Sequence, residues 1–143
     1  MAYRTVIVKG KDRCIFKEGV AGGTITPGHL LQGLPAALLV HANAAYTALA
    51  MFAVENEWLG EEIGEDYLVT EKVFYAVCPA GTEVAAIADG TGVTAGDYVE
   101  SNGDGTFQVV ATSAATADTA RHSLVGRALT TAAADARFTL EVF

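Results

Sequence analysis

The sequence predicts a mainly β protein, a small β-barrel or β-tulip-like domain with an N-terminal arm. Three observations carry that prediction. Short runs of alternating apolar and polar residues recur along the chain. Glycine, proline and asparagine punctuate those runs at short intervals. Alanine, glycine, threonine and valine together make up half of the 143 residues, a mixture suited to pleated surfaces and tight turns. The length fits one domain able to bury a core.

Tyr3 to Val8 is the first β-prone run. The basic stretch Lys9-Gly10-Lys11-Asp12-Arg13 follows it, and Cys14 to Lys17 forms a second short run. Gly19-Val20-Ala21-Gly22-Gly23 reads as a flexible hinge. The expected organisation is therefore residues 1–18 as an arm or first strands, then 19–143 as a single β-rich domain. Ile25 to Leu31 joins a Pro27-Gly28 turn to a strand, and Ala37–His41 and Thr47–Val54 read as two more strands separated by a turn at Ala42-Asn43-Ala44. Glu55 to Asp66 is polar, acidic and interrupted by glycine, which makes it a long loop around Trp58 and Leu59.

From Leu68 to Val77 the alternation is regular, and the strand it predicts runs into Pro79-Ala80-Gly81-Thr82. With proline taken at the second turn position and glycine at the third, Glu83 to Ala88 would return as the hairpin partner. Asp97–Ser101 and Thr106–Val110 flank Asn102-Gly103-Asp104-Gly105, a strong hairpin signal. Ala111 to Thr119 reads equally as a loop or a helical turn. Leu124–Thr131 and Arg137–Phe143 close the chain as strands, with Phe138, Leu140 and Val142 on one face. One internal echo stands out. Ile25-Thr26-Pro27-Gly28-His29-Leu30-Leu31 matches Val93-Thr94-Ala95-Gly96-Asp97-Tyr98-Val99 in residue type at every position.

Charge and motifs exclude several functions. The net charge is −8, and the basic residues are scattered singly, so no stripe of cations exists to neutralise nucleic-acid phosphates or anionic lipid. Residues 19–54 lack any charged side chain, but alanine, Pro35, His41, Asn43 and Thr47 dilute the apolar run below what a spanning helix needs. Cys14 and Cys78 form neither a disulfide framework nor a CxxC pair, and with no apolar leader the expected state is two reduced thiols in a cytoplasm. A nucleophile elbow, a phosphate-binding glycine loop and metal-ligand histidine spacing (His29, His41, His122) are all absent from the sequence. His41 reads as a packed residue and Cys78 as a buried structural thiol.

The expectation is no enzyme and no cofactor. The acidic run Glu55, Glu57, Glu61, Glu62, Glu65 and Asp66 carries the alternative, a metal- or ligand-binding or catalytic site in loop 55–66. As a calcium loop it lacks the fixed alternate-position spacing, and Asn102-Gly103-Asp104-Gly105 is too short to be one.

The order ITPGHLL, a strand ending Val40-His41-Ala42, ALAMFAVEN, the loop GEEIGEDY, VFYAVCPAGTEVAAI and TAGDYVESNGDGTFQVV resembles the head decoration (capsid cement) proteins of tailed bacteriophages. The resemblance covers about Gly22 to Phe143, with SNGDGT its most distinctive piece, and Met1 to Glu18 fits it least. It implies a compact β-tulip or barrel-like decoration domain, commonly a homotrimer. Such proteins sit on the capsid exterior and clamp neighbouring major capsid subunits. The implied partners are the major capsid protein and other copies of the chain, in a virion assembled in a bacterial cytoplasm.

Contact residues are expected in the arm, at Tyr3, Arg4, Val6, Ile7, Val8, Lys9, Lys11 and Arg13, and at the aromatics Tyr46 and Trp58. Four of the nine basic residues lie within the first thirteen positions of an otherwise acidic chain, which suits an arm reaching toward an acidic partner. Whether that arm pairs within its own domain or with another chain stays open.

Overall fold

The computed structural model describes residues 3–110 and 123–143, and the expected loop or turn at Ala111–Thr119 lies outside them, as does His122. Eleven strands are described: β1 (Ile7–Lys9), β2 (Ile15–Val20), β3 (Leu31–Gln32), β4 (Leu39–Val40), β5 (Met51–Ala53), β6 (Lys72–Val77), β7 (Glu83–Ile87), β8 (Tyr98–Ser101), β9 (Phe107–Val109), β10 (Leu124–Ala128) and β11 (Arg137–Val142). They form a six-stranded sheet in the order β1-β7-β11-β10-β8-β9, a three-stranded sheet β2-β6-β5, and the small pair β3-β4. The protein is mainly β as expected, but none of these sheets closes into a barrel.

Alternation decides which side chains go where. In β6, Phe74 and Ala76 face one way while Val73 and Tyr75 face the other, and Phe52 of β5 sits opposite Ala76. Phe52, Ala76 and Cys78 join Val84, Phe107, Phe138, Leu140 and Val142 in the main core between the two large sheets. Phe107 stacks on Phe52 at 6.0 Å between ring centroids and meets Phe138 edge-on at 6.2 Å. On the opposite face, Met51, Ala53, Val73 and Tyr75 pack under Ala21, Ile25, Leu31, Leu38 and Tyr67. The three-stranded sheet is thus the middle layer of the molecule.

The internal echo is a repeated device. The His29 N–H donates to the Thr26 carbonyl at 2.9 Å, and the Asp97 N–H donates to Thr94 at 3.0 Å. Gly28 and Gly96 take the same left-handed backbone, at φ 99° and 97°, which a side chain would strain. Even the closing side-chain bond repeats. The Thr26 N–H donates to His29 Nδ1 at 3.1 Å, and the Thr94 N–H to Asp97 Oδ2 at 2.8 Å. Each turn then delivers the chain into the core.

Three expectations need correction. β6 and β7 are not hairpin partners: β6 pairs with β2 and β5, whereas β7 pairs with β1 and β11. The turn between them bonds Thr82 N–H to Pro79 O, so proline stands first and Gly81 third, and the chain changes sheets across it. The expected hinge at residues 19–23 is a paired backbone. The Val20 N–H donates to Pro35 O, the Leu38 N–H to Val20 O, and the Gly22 N–H to Leu38 O. At Gly19 a Cβ would come within 2.5 Å of Leu38 Cδ1, so its small size serves close packing. Finally, Ala37–His41 and Thr47–Val54 contain only the short strands β4 and β5. The β8–β9 hairpin forms as expected, with Ser101 opposite Phe107, and the two closing strands β10 and β11 pair with each other, Ala128 opposite Leu140. No helix among the described residues is long and apolar enough to cross a membrane.

Candidate functional site

The acidic loop and the N-terminal segment, far apart in sequence, meet in space. The Val6 N–H donates to Glu55 Oε2 at 3.0 Å in a buried position, and the Lys11 ammonium donates to Glu57 Oε1 at 2.8 Å on the surface. Asn56 accepts the Leu59 N–H and so starts the short 3-10 turn Glu57–Leu59, which lifts Trp58 into solvent at 85% exposure. Between these stitches lies an apolar groove of about 470 Å³, lined by Ile7, Val8, Phe16, Val54, Phe74 and Trp58 with Lys11, Glu55 and Glu57 at its rim. Glu57 holds the Lys11 ammonium charged, pushing its pKa up, and that ammonium stands 5.9 Å from the centre of the Phe16 ring.

β2 forms one wall of this face, and its outer edge is open. Val20 turns its N–H and C=O away from β6, toward Pro35 and Leu38, so by alternation Phe16 and Glu18 also turn theirs outward. Among the described residues no strand meets them there. The side chains are uncovered too. Ile15 is 61% exposed on one face of the strand and Phe16 46% on the other. Arg13 and Lys17 flank this edge without an ion pair among the described residues, while Lys72 pairs with Glu18 at 3.0 Å. An open edge with apolar side chains on both faces is a surface that natural sheets ordinarily protect.

The ten expected contact residues divide into groups. Ile7, Val8, Lys11 and Trp58 line the groove. Val6 is fully buried, and Ile7 nearly so. The Tyr3 hydroxyl bonds Thr139 Oγ1 at 2.8 Å, which ties the segment to β11, and Lys9 pairs with Glu83 at 3.7 Å. Arg4 and Arg13 are exposed. Tyr46, 67% exposed, lies apart on a second hollow of about 310 Å³ with Leu31, Leu49 and Met51. Sequence reasoning left out Ile15 and Phe16. Their signal was there: a three-residue apolar run, Cys14-Ile15-Phe16, too continuous for a strand that buries only one face.

The chemistry of the acidic run is structural at its start, since Glu55 receives a backbone donor and Glu57 a cation. Among the described residues no group of three or more His, Cys, Asp or Glu side chains converges as a metal site would require. His41 Nδ1 lies 2.6 Å from Ser101 Oγ in the interior, a packed and bonded ring. Burial pulls the His29 pKa down even though Asp104 and Asp66 favour its charged form. Burial opposes ionisation of Asp104, but donors from Thr106 and Asn102 prevail and hold its carboxyl below the ordinary value. Those bonds brace the β8–β9 turn.

No protein-family profile matches this chain, and no curated protein matches it. Among solved structures, the fold is similar to that of the head fiber gp8.5 N base in bacteriophage phi29, with a TM-score of 0.61 over 91% of this chain and 94% of that one, at 16% identity.

Proposed function

We propose that this chain is a structural virion protein that decorates the outside of a bacteriophage capsid, using the β2 edge and its groove to hold neighbouring major capsid subunits. The observation that carries the reading is the fold, which is similar to a phage head fiber base over 91% of this chain. The resemblance of the sequence to capsid decoration proteins supports it independently. The occupant of the groove is an extended segment of the major capsid protein. Main-chain groups of Phe16 and Glu18 offer it a strand to pair with, while the apolar groove takes alternate side chains. Arg13 and Lys17, without an ion pair among the described residues on a chain of net charge −8, select an acidic partner. Residues 1–18 and 19–143 work together in this scheme, the first carrying Phe16 and Glu18 of the docking edge and the second the decoration domain.

Self-association as a homotrimer uses a second exposed surface, around Leu34, Tyr46 and Leu49. It belongs to the stretch 19–54, which has no charged side chain. Acidic copies meet there with the least mutual repulsion.

The test uses capsids assembled from the major capsid protein of the same virus. Wild-type protein sediments with them, and Phe16→Glu weakens binding at least tenfold while leaving the folded protein's sedimentation coefficient unchanged. Tyr46→Glu shifts free protein from trimer to monomer. Undiminished capsid binding by Phe16→Glu overturns the docking surface, and failure of the wild type to bind capsids at all overturns the function.

A further inference from the structure

The register of β2 against β6 pairs Ile15 with Val77, and one step further places Cys14 directly opposite Cys78. The Cys14 N–H donates to Lys11 O and the Cys78 N–H to Ala50 O, so the two residues exchange no backbone bonds. In an antiparallel ladder such a non-hydrogen-bonded pair brings Cα atoms to about 4.5 Å and side chains closest together. That separation falls within the span a disulfide bridges, about 4.4 to 6.8 Å between Cα atoms. The side chains already point at each other, with Cys14 Sγ 3.6 Å from Cys78 Sγ. Both thiols are free.

We propose that Cys14 and Cys78 are a site of oxidative modification, closing a cross-strand disulfide by exchange with a small-molecule disulfide such as oxidised glutathione. Cys14 is the entry sulfur because it is partly exposed, whereas Cys78 is buried. The Cys14 thiolate attacks one glutathione sulfur, and the first glutathione thiolate leaves with the bonding electrons. The Cys78 thiolate then attacks Cys14 Sγ and expels the second. Two protein protons end on the two released glutathione thiols, so one disulfide is reduced and one is formed. Burial, and the nearness of Cys14, push the Cys78 thiol pKa up, which makes the second step the slow one.

The consequence falls on β2. Among the described residues its start is held by β6 alone, and a covalent link there would fasten the docking edge to the end of that strand. This inference concerns the bridge itself and stands whether or not the groove binds a capsid.

The experiment incubates the full chain in a graded series of reduced and oxidised glutathione at mildly alkaline pH. Samples are quenched in acid, denatured, alkylated and weighed as intact protein. The expected product is a monomer two hydrogens lighter that takes up no alkylating reagent, with a melting midpoint raised on the order of 10 °C. Cys78→Ser should stop at one glutathione adduct on Cys14, and Cys14→Ser should stay unmodified. A wild-type protein that remains fully alkylatable, stops at the mixed disulfide, or forms only intermolecular dimers overturns the proposal.

Discussion

β1 and β2 begin almost alike. Val6-Ile7-Val8 and Cys14-Ile15-Phe16 are three-residue apolar runs, each beside basic residues, separated by five positions. The first enters the six-stranded sheet, with Val6 fully buried and its N–H tied to Glu55. The second lies at the border of the middle layer and leaves Ile15 and Phe16 in solvent. What separates them is the partner on the outer side: β1 is covered by the acidic loop, whereas the outer edge of the first half of β2 pairs with no described strand. Hydrophobicity sets how much a run gains by being covered, but topology decides whether its own chain supplies the cover. An apolar run that its own chain leaves bare is a candidate for binding.

That contrast breaks most visibly at Val6. Val6→Asp places a carboxylate in a fully buried site beside Glu55, and we expect more than about 4 kcal/mol of destabilisation, seen as loss of a cooperative urea transition. The matched change Ile15→Asp should cost less than about 1 kcal/mol in the same assay. Equal losses would erase the distinction between the strands. Glu55→Ala sharpens it at the next level, because the buried Val6 N–H then loses its charged acceptor. A loss of about 2 kcal/mol is expected, with faster hydrogen exchange confined to β1 and its neighbours. The smallest effect belongs to the exposed pair of Lys11 and Glu57. Lys11→Ala should change stability by under about 1 kcal/mol, and by less as salt is raised.

The readable parts of this fold were those settled within a few residues. The turns at Thr26–His29 and Thr94–Asp97 are closed by their own fourth residue, so their likeness was visible in the chain. The β8–β9 hairpin was visible for the same reason, since Asp104 and Thr106 bond inside it. The β6–β7 turn shows the limit. A local turn fixes a reversal of direction but not which sheet receives the next strand, and β7 finds better neighbours in β1 and β11. The candidate site was half legible. Lys11 and Trp58 stood out singly, yet the groove exists only because Val6 and Glu55, 49 positions apart, are joined. The role of Glu55 was hidden because a buried carboxylate and a solvated one look identical in an acidic run.

The order of the six-stranded sheet has a kinetic side. β11 lies between β7 and β10, and of the six strands it is the last to leave the ribosome. Until it arrives, β7 and β10 each expose an unpaired edge, and Phe138, Leu140 and Val142 are missing from the core. Folding must therefore wait on pairings of long sequence separation, the class of topology that folds slowly. A nascent chain in that interval carries several open strand edges at once, a condition that favours association with other unfinished chains. The rate of that last insertion would set the yield of folded material.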